Sequence, residues 1–165
     1  MKSDQVESWV KAQMFVGQEA YFLDEKLWDE WLDLYLPECE FWVPAWGDNG
    51  KLTDDPQSQI SMIYYGSRGG LEDRVFRIRT GTSAASTPAL RTNHIFSLLK
   101  VEEVEGGYEV RTNWLTESFR EDQCLSYRGQ AVYSLMEREG QLKIASKRTV
   151  VLDPITDTVL DFYTI

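Results

Sequence analysis

The chain has 165 residues and a net charge of −10, with 27 Asp and Glu against 17 Lys and Arg. That balance disfavours nucleic acid and anionic membrane surfaces, which need phosphate neutralised locally by Lys and Arg. A hydrophobic share of 42%, with 13% aromatic residues, supplies enough apolar surface for one packed domain over residues 1–165 and excludes a disordered chain.

Charges interrupt every apolar stretch before the roughly 18 to 20 residues a bilayer span requires, so no membrane segment is expected. The opening MKSDQVESWV lacks the apolar core of a secretory signal, and Cys39 and Cys124 suggest no disulfide framework. A cytoplasmic protein with inert thiols is the expectation.

Over residues 4–23, Val6, Val10, Met14, Gly17 and Tyr21 recur three or four apart. Trp9, Val16, Ala20 and Leu23 widen that stripe, which predicts an amphipathic helix. The segment DEKLWDEWLDLYLPE offers Asp24 as N-cap, sets Leu27, Trp28, Trp31, Leu32 and Tyr35 on one side, and predicts a second helix ending at Pro37. Its acids Asp29, Glu30 and Asp33 read as a solvated face.

EFWVPAW, at residues 40–46, is β-prone, but Pro44 confines it to a strand edge, bulge or end. The polar stretch GDNGKLTDDPQSQ reads as a loop, and residues 60–65 resume an apolar run. Gly66, Gly69 and Gly70 lead into LEDRVFRIRT, where Leu71, Val75 and Ile78 are helically spaced and Glu72 and Asp73 suit the helix's positive end.

After the loop-like GTSAASTPALRTN, the segments HIFSLLKVEEV, YEVRTNWLTESFR, QCLSYRGQAVYSLMERE, QLKIASKRTVVLD and TVLDFYTI read as strands. Val110, Thr112, Trp114 and Thr116 alternate with Arg111, Asn113, Leu115 and Glu117, and the connections EGG, ED and REG are short enough to join antiparallel neighbours. Helices followed by consecutive strands predict an α+β domain, with helices covering one face of a long, curved antiparallel sheet.

The residue inventory excludes most redox and metal chemistry. His94 is the one histidine, whereas a Rieske cluster needs two Cys and two His, and a facial-triad iron site needs two His and a carboxylate. A His-based zinc centre fails on the same count, no CxxC pair exists for structural zinc, and Asp54–Asp55 lacks the calcium-loop spacing. Gly66-Ser67-Arg68-Gly69-Gly70 has no phosphate-binding lysine, and Glu72 and Asp73 would repel an anion there. No GxSxG nucleophile elbow occurs.

Two readings of His94 stay open. On a strand it shares a face with Thr92, Phe96 and Leu98, which favours a hydrogen-bonded core or interface histidine. The alternative is a general base, His94 or a buried acid, in a stand-alone isomerase or dehydratase with a dry pocket. Tyr64 and Tyr65 read as packing residues.

FLDEKLWDEWLDLYLPECEFWVPAW, LTDDPQSQISMIYYGSRGGLEDRVFRIRT, RTNHIFSL and NWLTESFR together resemble the small (beta) subunit of aromatic-ring-hydroxylating dioxygenases. The similarity runs from about Glu19 to the terminal DFYTI, is most distinctive in IYYGSRGGLEDRVFRIRT, and is nearest the benzoate and anthranilate 1,2-dioxygenase branch.

The resemblance implies a cystatin-like, nuclear-transport-factor-like cone and a non-catalytic structural role. It also implies a large alpha subunit that carries the Rieske [2Fe-2S] cluster and the mononuclear iron, a reductase supplying electrons from NADH, and a three-plus-three hexamer with other beta subunits. No catalytic, cofactor or metal residue carries over to this chain. Trp114, Phe119, Tyr127, Tyr133 and Arg148 are candidate interface residues, because aromatic and Arg side chains dominate interface energetics.

Overall fold

The computed structural model describes residues 3–81, 90–120, 123–153 and 160–165. In chain order it contains α1 (Ser3–Asp24), α2 (Trp28–Asp33), β1 (Tyr35–Pro44), β2 (Ser61–Tyr65), α3 (Arg68–Arg79), β3 (Arg91–Val104), β4 (Gly107–Arg120), β5 (Gln123–Arg138) and β6 (Gln141–Val151). A 3-10 turn follows at Phe162–Thr164.

The six strands form one sheet in the order β2-β1-β6-β5-β4-β3. Every neighbouring pair is antiparallel except β1 and β6, which run parallel because most of the chain lies between them. Tight turns fix the register of the long hairpins. Between β5 and β6 the two-residue turn Glu139–Gly140 takes φ 54° and 76°, the left-handed pair whose twist matches that of the flanking strands.

Strand alternation sorts the residues onto two faces. Phe96, Trp114 and Gly129 form one row across the inner face, beside the row His94, Thr116 and Tyr127. α1 packs over β3 and β4, and α3 over β1 and β2, so the helices close the inner face into a cone. The outer face carries exposed Arg111, Asn113, Arg128 and Gln130.

α3 begins at Arg68, so Glu72 and Asp73 lie beyond its first turn and not at its positive end, and β3 begins at Arg91, inside the expected loop. Four further departures from the sequence expectations shape the core. First, Val6, Val10, Met14 and Tyr21 of α1 are 43 to 70% exposed, and the helix buries the neighbouring stripe of Ala12, Phe15, Val16, Glu19 and Leu23. Val16 and Leu23 of the expected stripe are buried as read, and hydrophobicity centred the stripe to one side because the buried face contains an acid.

Second, Asp24 is not the N-cap of α2. It closes α1, whose end is a Schellman motif: Lys26 at φ 57° donates to Leu23 and Leu27 donates to Phe22. Third, α2 has six residues, and β1 begins at Tyr35 and runs through Pro37. Pro37 is tolerated because it sits where the β1–β6 register is interrupted between Tyr35 and Glu40, and Pro44 lies at the matching irregularity with β2.

Fourth, the C-terminal segment is no strand over its described part. Asp161 accepts from the Phe162 amide at 3.0 Å and donates its own to Thr164 Oγ1 at 3.2 Å, a reciprocal cap that turns the chain inward. Residues 158 and 159 of the expected strand lie outside the described residues. Phe162 stacks on Trp31 at 4.3 Å and meets Trp28 edge-on at 5.6 Å, which closes the core where α2 lies against the sheet. Arg74 of α3 clamps Asp161 in a two-pronged ion pair.

Candidate functional site in the polar interior

Two buried polar groups stand on the inner face. In the first, Glu19 of α1 is 1% exposed and faces Lys147 of β6, 4% exposed. Lys147 Nζ donates to Glu19 Oε1 at 3.0 Å, Tyr35 Oη to the same oxygen at 2.8 Å, and Tyr133 Oη to Oε2 at 2.9 Å. Lys147 also lies over the Tyr133 ring at 5.1 Å.

Burial works against the Glu19 charge. The Lys147 ammonium and the three hydrogen bonds outweigh it and hold the carboxyl below its ordinary range. Burial first, and the Glu19 charge second, push both tyrosine hydroxyls well up, so they remain donors. A carboxylate that already accepts from three fixed donors is a structural anchor between α1 and the sheet, with little basicity to spare.

The second group joins the last turn of α1 to β3. Asp24 accepts from Thr92 Oγ1 at 2.9 Å and from the His94 amide at 3.1 Å, and its Oδ1 lies 2.6 Å from His94 Nδ1. Burial raises the Asp24 carboxyl, but its bonds to His94 and Thr92 more than offset this and hold it below the ordinary range. An ionised carboxylate only accepts, so Nδ1 carries the proton shared with Asp24.

His94 Nε2 then points into the interior, where it is buried without a partner among the described residues. The space beside it is a cavity of about 30 Å³, lined by His94, Phe96, Trp114, Thr116, Thr149 and Ile165 among others. Sites that accept organic ligands commonly measure about 300 to 1,000 Å³. The carboxylate-backed imidazole has the geometry of a general base, but the surrounding side chains fill the room a substrate would need. A larger, open groove of about 930 Å³ lies elsewhere, between α1, α2 and the β5–β6 turn, and includes Met14, Tyr21, Leu34 and Leu142.

His94 therefore sits with Thr92, Phe96 and Leu98 on the inner face, as its strand parity requires. Tyr127 and Tyr133 are each 4% exposed on that same face, and Trp114 lies between Phe96 and Gly129. Phe119 and Arg148 belong to the outer rows, where the Arg148 guanidinium stacks 5.0 Å from the Trp42 ring. Glu19, Lys147 and the partnership of Asp24 with His94 were not singled out from sequence. The available signal was an acid spaced with Phe15, Val16 and Leu23, facing a lysine that alternates with Thr149 and Val151.

Burial pushes the Cys39 thiol up to about 11, which leaves it un-ionised at neutral pH. Among the described residues no group of three or more His, Cys, Asp or Glu could hold a metal ion. No described helix is long and apolar enough to cross a membrane.

Residues 18–157 match the family described as "Ring hydroxylating beta subunit". The chain is 46% identical over 150 residues to the benzoate 1,2-dioxygenase subunit beta of Acinetobacter baylyi, covering 90% of this chain and 89% of that one. It is 39% identical to the anthranilate 1,2-dioxygenase small subunit of the same organism, over 90% of this chain and 92% of the other. The crystal structure of the benzoate 1,2-dioxygenase beta subunit from Burkholderia mallei superposes with a TM-score of 0.77 at 39% identity, covering 93% and 95% of the two chains. The shared architecture is the cone-shaped α+β fold of the nuclear-transport-factor type.

Proposed function

This chain belongs to the family of ring-hydroxylating dioxygenase beta subunits, and on that basis we propose that it is the structural beta subunit of a dioxygenase acting on an aromatic acid such as benzoate or anthranilate. The identity of 46% to a benzoate 1,2-dioxygenase beta subunit over nearly the whole chain carries the reading. The reaction adds both atoms of O₂ to the ring, and this chain's part is to hold the oxygenase together from the cytoplasmic side of metabolism, with residues 1–165 acting as one domain.

The Rieske cluster and the mononuclear iron are assigned to the large subunit. The donor set here does not fit either group, since the chain's one imidazole is held by Asp24, Cys39 is buried and Cys124 is exposed. Electrons reach those centres from NADH through a reductase. No chemical step is routed through this chain.

Its partners are the large subunit and further beta subunits, arranged as three plus three. Two surfaces support assembly. The outer stripe of α1 exposes Val6, Val10, Met14 and Tyr21, an apolar row that a solitary chain has little reason to leave in water. The outer face of the sheet presents Phe119 and the Arg148–Trp42 stack. Of the other candidate contact residues, Tyr127 and Tyr133 are 4% exposed and Trp114 lies on the same inner face, so the proposed contact rests on Phe119 and Arg148.

Reconstitution tests the reading. Large subunit, reductase and NADH should dihydroxylate benzoate or anthranilate at full rate only when this chain is present. Turnover of neither acid, or full activity without the chain, would refute it.

A further inference from the structure

The cavity beside His94 is small and lined mostly by apolar side chains, Val16, Leu23, Phe96 and Ile165 among them, and the polar groups that reach it are incompletely satisfied. His94 is 91% buried by its side chain's 9% exposure, and its Nε2 has no partner among the described residues. Trp114 Nε1, Thr116 Oγ1 and Thr149 Oγ1 are buried and unpartnered in the same way, and all four side chains line the one cavity. Buried polar groups in native proteins are almost always paired, and one left open is destabilising. Four around a single space call for something that occupies it.

Size and polarity select the occupant. At about 30 Å³ the cavity takes one water-sized molecule and no organic ligand. In the neutral imidazole, with Nδ1 donating to Asp24, Nε2 offers a lone pair, whereas the indole N–H of Trp114 can only donate and each threonine hydroxyl can do either. One water has the donors and acceptors for all four: it can donate to Nε2 and one threonine hydroxyl and accept from Trp114 Nε1 and the other hydroxyl. An anion would face the Nε2 lone pair, and the nearby Lys147 charge is already matched by Glu19 at 3.0 Å.

We propose that the cavity enclosed by His94, Trp114, Thr116 and Thr149 is a binding site for a single long-lived internal water, oriented by the Asp24–His94 pair. The arrangement is a carboxylate-backed imidazole holding a water in a chamber closed to substrate. Its role is to complete the hydrogen bonding between β3, β4 and β6 beneath α1.

His94 is the chain's one histidine, so histidine-selective ¹⁵N labelling of the full chain reports on one imidazole. The expected spectrum has the proton on Nδ1, Nε2 accepting a hydrogen bond, and a cross-peak from slowly exchanging water to the ring protons. The cross-peak should be lost in Thr116→Val/Thr149→Val. A proton on Nε2, or a wild-type spectrum with no water cross-peak, overturns the proposal whether or not the variant folds. So does an anomalous bromide peak in the cavity of bromide-soaked crystals.

Discussion

Glu19 is the residue whose removal should be felt most. Glu19→Gln leaves the Lys147 ammonium buried without its counter-charge, and breaking one side of a buried pair costs about 3 to 5 kcal/mol. Chemical denaturation should show that loss, and Glu19→Leu/Lys147→Met/Tyr35→Phe/Tyr133→Phe should recover most of it, because the desolvation of both charges disappears and no buried hydroxyl is left without its acceptor. The same residue sets an acid limit. Glu19 and Asp24 are both held below their ordinary values of 4.5 and 3.8, so the folded chain binds fewer protons than the unfolded chain across that range. Their contribution is fully present above the unfolded values and is lost as pH falls through the folded ones. Stability measured from pH 6 down to about pH 3 should therefore decline, and Glu19→Gln should decline less steeply. The sequence exposed His94 and its strand face by parity alone. It did not expose Glu19, since an acid on a helix is usually solvated, and only the folded sheet shows otherwise, by bringing Lys147 of β6, Tyr35 of β1 and Tyr133 of β5 to it.

At the scale of elements, local chemistry explains both the successes and the failures of sequence reading. The long strands were legible because their alternation and short turns are local signals. The end of α1 was not, because its Schellman motif uses Lys26 where glycine is usual. Lys26 occupies the left-handed region at φ 57°, so Lys26→Gly should stabilise the chain by roughly 0.5 to 1 kcal/mol, seen as a higher denaturation midpoint; a loss of stability would contradict the motif. β1 was foreshortened in the sequence reading because Pro37 looks like a helix stop, and only the break in register opposite β6 makes room for it. The exposed stripe of α1 has a separate consequence. Val10→Glu/Met14→Glu should leave the isolated chain folded by circular dichroism, because both side chains face solvent, yet reduce co-purification with the large subunit at least several-fold. Unchanged co-purification would remove that face from the interface.

For the whole molecule, the fold alone is a weak guide to function, since a cone that closes over an Asp–His pair can in principle house an active site. Two features decide the matter here. The interior beside His94 is filled to about 30 Å³, and the sequence follows benzoate-type beta subunits over nearly its full length. The cone's shape was legible in the order of helices and strands, and its filled interior was not, because cavity volume depends on how Phe96, Trp114 and Ile165 meet across strands distant in sequence. The central claim is that this chain contributes assembly and its partner contributes iron. It is tested most directly by the mass and iron content of the complex formed when the chain is co-expressed with its large subunit. The expected result is a fixed equimolar complex of three plus three chains whose iron all stays with the large subunit when the two are separated. Iron bound stoichiometrically by this chain alone, or no stable complex at all, would contradict it.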